Sequence, residues 1–168
     1  DLLPISKGAQ RGPLPVDAQG RCTSIAVGTY ANDHHYPGED WPLAPKSVRW
    51  GGRWSGTPFC IPFDALISDS LTNLVMAEKG FSVSHMANGA TRLQPLILNL
   101  GQVAGLAAAM AVRQGCAVGD LAVDAIQSAL IHEPQAPAAV LPIWDWPHWH
   151  PHWAEAQTRG LVQPDQLN

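Results

Sequence analysis

The chain contains no Gly-x-Gly-x-x-Gly and no Cys-x-x-Cys. The first absence excludes the glycine turn that cradles a dinucleotide pyrophosphate, and the second excludes a dithiol redox pair of that spacing. No Ser-His-Asp order or pair of catalytic carboxylates offers a hydrolytic chemistry instead. Basic residues are few: 10 Lys and Arg stand against 14 Asp and Glu, for a net charge of -4, and they are scattered. That distribution leaves neither a nucleic-acid footprint nor a polybasic membrane patch. There is no initiator methionine and no basic-then-apolar signal pattern, so we read the chain as a fragment of a longer protein. Cys22, Cys60 and Cys116 lie far apart in apolar surroundings and read as buried free thiols, which points to a reducing, cytoplasmic setting. A length of 168 residues allows one large or two small domains and a sizeable core.

What the chain does have is a charge-free run, Leu93 to Val112, bounded by Arg92 and Arg113. Such a run is long enough to span a bilayer, and Gly101 and Gly105 form a small-xxx-small pair. Its content of alanine and glycine, together with Asn99, Gln102 and an initial Pro95, favours a soluble helix buried on all sides. Gly101, Ala104, Gly105 and Ala108 would then let another backbone or a ligand come close.

The rest of the chain divides around that helix. Residues 1–21, broken by four prolines and glycines in their second half alone, read as a loop. Residues 22–67 read as mostly antiparallel β, with strands at Thr23 to Tyr30, Ser47 to Trp50 and Pro58 to Phe63 and a hairpin at Gly51-Gly52. In residues 68–132 the pattern changes: Asn73 to Ala77 reads as a strand covered on both faces, His85 to Thr91 as a short turn or helix, and Pro95 to Arg113 as the long helix stopped by Gly115. A second helix over 119–132 has Leu121, Ala125, Ile126, Ala129 and Leu130 on its apolar face. Residues 133–168 read as a Pro-, Trp- and His-rich linker and tail. The fold class is α+β.

Three blocks carry a resemblance: Asn73 to His85, then Arg92-Leu93-Gln94-Pro95, then Gly101-Gln102-Val103-Ala104-Gly105. Together they resemble the C-terminal part of the FAD-dependent oxidoreductases of the glutathione-reductase-like superfold. More narrowly, they are similar to a bacterial family that ends in a strand, an Arg-x-x-Pro step and a Gly-Gln-x-Ala-Gly helix. Upstream, Tyr30 to His35 and Ile61-Pro62-Phe63 resemble that family's substrate-side sheet. The likeness covers about residues 22–131. It implies a partial antiparallel substrate-domain sheet, followed by the last strand and long helix of an FAD-binding α/β domain.

The resemblance also implies a site. The start of the long helix would face the pyrimidine edge of the flavin, where the positive end of the helix dipole and the amides of Leu96 and Ile97 favour the negative charge of the reduced ring. Glu78, Lys79, Arg92, Leu93, Gln94, Pro95 and Leu96 would line the cofactor. Arg92 and Lys79 would meet the pyrophosphate or the flavin edge, or else form a surface ion pair such as Lys79 with Glu78. Glu78 replaces the small residue common there; it would bond a ribityl hydroxyl or repel a phosphate. His35 is the candidate acid or base for hydride transfer between a small organic substrate and FAD, against a plainer role in capping a strand and turn. His85 has the same plain alternative. The absent glycine turn implies an N-terminal FAD-binding half as partner, and little retention of FAD by this chain alone.

The tail offers a different class of function. His148, His150 and His152 alternate, so an extended chain would turn all three to one side near Asp145, as zinc or copper ligands. The interleaved tryptophans argue equally for rings packed on the body. A non-catalytic docking or metal-binding module is therefore the alternative to the flavin reading.

Overall fold

Two short strands begin the core. β1 (Ser24–Gly28) pairs antiparallel with β2 (Phe59–Pro62), with Val27 opposite Cys60 and Gly28 opposite Phe59. The register slips between Ser24 and Ala26, which places an extra residue, Ile25, in β1. Strict alternation would bury only one face, yet Ser24, Ile25, Ala26 and Gly28 are all buried. The sheet is covered on both sides, and the polar groups of Ser24 find partners there. The computed structural model describes residues 14–30, 58–143 and 146–162. The expected strand at 47–50, the hairpin at Gly51-Gly52 and the candidate His35 lie outside the described residues.

After β2 a single 3-10 turn, Phe63–Leu66, buries Phe63 and Leu66 and turns the chain back along the sheet. The next segment wraps this turn: the Met76 amide donates to the Leu66 carbonyl at 2.8 Å and the Ser82 amide to the Ala65 carbonyl at 2.8 Å. Here the expectation of a doubly covered strand at Asn73 to Ala77 is corrected. Only Val75 makes a bridge, to Ile67, while Asn73, Leu74 and Ala77 are exposed. A strand covered on both faces needs neighbours on its edges and layers on both sides. Among the described residues, Ile67 alone supplies a ladder partner.

Helix α1 (His85–Thr91) is capped by Ser84, whose hydroxyl accepts from the Ala87 amide at 3.2 Å. The cap is thus Ser84 rather than His85. Helix α2 (Gln94–Gln114) follows, with its proline in the first turn, where a missing N–H costs nothing. Gly115 ends it in the left-handed region at φ 65, and its amide closes on the Ala111 and Val112 carbonyls. Leu96, Leu100, Val103, Ala107 and Met110 form the buried stripe of α2, and the helix packs across β1. The helix is not buried on all sides, however. Gly105 and Ala109 are exposed, as are Leu98 at 74% and Val112 at 83%.

A 3-10 turn, Val118–Asp120, leads to α3 (Val123–Ile131), which starts later than the sequence reading placed it. Its buried face is Ile126, Gln127, Leu130 and Ile131, with Ala125 outside. The rotation has a cause: the Gln127 amide donates to the Cys22 and Ser24 carbonyls, both at 2.9 Å. α3 turns to bring this side chain to β1.

The stretch read as linker and tail is also part of the body. Ala138, Val140 and Leu141 are buried, and Trp153–Val162 forms α4 with Trp153 in the core. Gln157 on α4 is fully buried. Its carbonyl oxygen accepts from the Val140 amide at 3.1 Å and the Leu141 amide at 2.8 Å, and its amide donates to the Leu141 carbonyl at 2.7 Å. On the other side of this strap, the Ser24 hydroxyl donates to the Val140 carbonyl. Replacing Gln157 strands three buried backbone groups, so Gln157→Leu, which keeps most of the volume, should cost about 2–3 kcal/mol. A chemical-denaturation midpoint that did not move would show that the clamp adds nothing.

Candidate functional site

The start of α2 is open. Leu93 holds the N-cap position in an extended conformation, with no side-chain cap, and Gln94 and Pro95 are exposed while Leu96 turns into the core. The Ile97 amide already donates to the Leu93 carbonyl at 3.1 Å, so it belongs to the helix ladder and is not a free donor. By helix geometry, the amides without an intrahelical carbonyl in this turn are those of Gln94 and Leu96. The positive end of a helix 21 residues long therefore reaches the surface at Gln94 and Pro95, beside the exposed Arg92, while Leu96 is buried.

Glu78 and Lys79 stand elsewhere along the helix. A Cβ on Gly101 would lie 3.6 Å from the Ala77 carbonyl, so the segment just before Glu78 crosses α2 at Gly101. That crossing is seven residues from Gln94, roughly 10 Å along the axis. The structure thus gathers Arg92, Leu93, Gln94, Pro95 and Leu96 at one helix end and sets Glu78 and Lys79, both exposed, along its flank. Gly105, one turn further, has nothing within 4 Å of where a Cβ would sit. Its expected close neighbour is not supplied by the described residues.

One residue of the glycine-rich helix has a role that the sequence did not reveal. The Gln102 amide donates to the Ala136 carbonyl at 2.6 Å, with the Asn99 amide donating to its oxygen at 3.5 Å. Gln102 ties α2 to the strap that leads to α4. The available signal was two amides in an otherwise apolar helix, Asn99 and Gln102.

Of the tail histidines, His150 and His152 come together, with ring centroids 5.7 Å apart and the His152 amide donating to His150 Nδ1 at 3.2 Å, and Asp145 lies outside the described residues. Residues 148–152 turn rather than extend, so the alternation that would align three imidazoles is lost. His148 packs edge-on against Trp149, His150 stacks on Trp146 with ring centroids 4.8 Å apart, and His152 faces Glu155 at 3.4 Å. Among the described residues no group of three His, Cys, Asp or Glu side chains is placed to hold a metal ion. Of the described tail tryptophans, Trp153 is in the core, Trp146 is half-buried and only Trp149 is well exposed.

With this geometry in hand, the comparison with known proteins is informative. The family model for FAD-dependent oxidoreductases matches residues 15–130, more than half of the chain. The chain belongs to that family. The match runs from just before β1 to the end of α3 and takes in the whole of α2 with its open N-terminus. A search of curated proteins and a search of solved structures each gave no match. The strap and α4 lie beyond the matched region, although they complete the core.

The cysteines behave as structural groups. Cys22, Cys60 and Cys116 are free; Cys60 is buried in β2, and burial pushes its thiol up to about 12. Burial also pushes Cys22 up. In the unfolded chain these thiols ionise near an ordinary value of about 8.5. The folded state therefore binds more protons through the alkaline range, and stability should fall as pH rises from about 8.5 toward the Cys60 value. Iodoacetamide near neutral pH should label the half-buried Cys116 and spare Cys60 until denaturant is added; labelling of Cys60 at an equal rate in the native protein would contradict the burial account.

Proposed function

We propose that this chain supplies one wall of the flavin site of an FAD-dependent oxidoreductase acting on a small organic substrate. The single observation that carries the reading is the N-terminus of α2, where the Leu93 side chain makes no cap and Gln94 and Pro95 are exposed among the described residues, beside Arg92 and inside the region that matches the family. A helix start with its dipole end at the surface and an adjacent guanidinium favours an anion or a ring edge that gains negative charge. When bound, FAD supplies hydride chemistry. The residues present fit only one edge of that group, because the chain has no Gly-x-Gly-x-x-Gly to hold its pyrophosphate.

Within this reading, the Gln94 amide at the start of α2 and the Arg92 guanidinium stabilise negative charge at the flavin's pyrimidine edge. Leu93 and Pro95 shape the apolar rim around them, and Glu78 and Lys79 approach the cofactor's ribityl or phosphate end. His35 holds and returns the substrate's proton. Strands β1 and β2 belong to the substrate-side sheet. The exposed face of α2, with Leu98, Gly105, Ala109 and Val112, packs against the partner that brings the pyrophosphate cradle, an N-terminal FAD-binding half. The bare Gly105 gives that partner's backbone room to approach.

The test is reconstitution. The chain alone should not retain FAD through gel filtration, whereas mixing with a polypeptide that carries the strand–glycine turn–helix unit should restore bound flavin absorbance. Arg92→Ala should weaken FAD retention by the assembled pair about tenfold, as expected for loss of a charge-assisted contact of about 1.5 kcal/mol or more. No recovery of flavin by the mixture, or an Arg92 variant that binds as tightly as the parent, would remove the reading's support.

Packing of α2 has its own test. A Cβ at Gly105 has nothing within 4 Å of it among the described residues and leucine is a better helix former, so Gly105→Leu should raise the stability of the isolated protein by about 0.5–1 kcal/mol. The same substitution should block assembly with the flavin-binding half. Equal assembly by Gly105→Leu would show that this face is left uncovered.

A further inference from the structure

We draw no further inference here: the strongest candidate, the apolar surface patch of Leu98, Ala109 and Val112 on the outer face of α2, belongs to the site already described, and nothing in the structure shows a second occupant for it.

Discussion

A two-stranded sheet cannot bury itself, and the rest of this structure follows from how that problem is met. Two strands of five and four residues have too little surface to be stable alone, yet β1 is sealed on both faces. Sealing it takes Ser24 and the Cys22 and Ser24 carbonyls out of water, where an unmet polar group costs about 1–3 kcal/mol. Amide side chains meet that need. Gln127 reaches the two carbonyls from α3, and the Ser24 hydroxyl reaches Val140 on the strap, which Gln157 holds from α4. α3 and α4 therefore have defined rotations, because a buried glutamine is tied to a particular carbonyl or amide and a hydrophobic stripe is not.

That arrangement frees the front of α2. The helix packs against β1 and is tied to the strap by Gln102, beyond its first two turns. A helix anchored along its middle can present an open N-terminus without fraying. Leu96 and Ile97, buried immediately behind the open turn, keep it in place, while Gln94 and Pro95 face solvent. Rigid support behind an exposed positive dipole end is what an electrostatic contribution to catalysis requires, since donors that must first be ordered lose much of their value.

Local signals in the sequence located the regular elements well. Pro95 and Gly115 bracket α2 to within a residue, and the alternating run from Thr23 contains β1. These are signals that a residue carries by itself: a missing N–H, a left-handed φ, a period. The misses concern residues whose state depends on partners. Asn73 to Ala77 has the composition of a covered strand, but coverage comes from neighbouring strands, and only Ile67 pairs with it. The buried places of Gln127 and Gln157 carry no signal of their own, because nothing in a sequence marks the carbonyl a glutamine will meet. Helix α4 was hidden behind a proline-rich approach, although Trp153 and Ala156, Gln157 and Gly160 already follow a helical spacing. At the candidate site, the order Arg92 to Leu96 was legible as a helix start. The separation of Glu78 and Lys79 from it was not, since that depends on where Ala77 crosses the helix.

Glycine is what the interior of α2 would be expected to avoid. Each glycine in a helix costs about 1 kcal/mol relative to alanine, and α2 carries two, four residues apart on one side. At Gly101 the crossing by the Ala77 carbonyl is an ordinary contact that an alanine methyl would tolerate, and at Gly105 there is no neighbour at all. Neither cost is offset by packing among the described residues. Under the proposed reading the cost at Gly105 has an origin in the outer face of α2, which leaves room for a backbone that comes closer than a side chain would allow. The stability of this chain alone would favour alanine at Gly105, and under the proposed reading that glycine answers to assembly rather than to the fold that carries it.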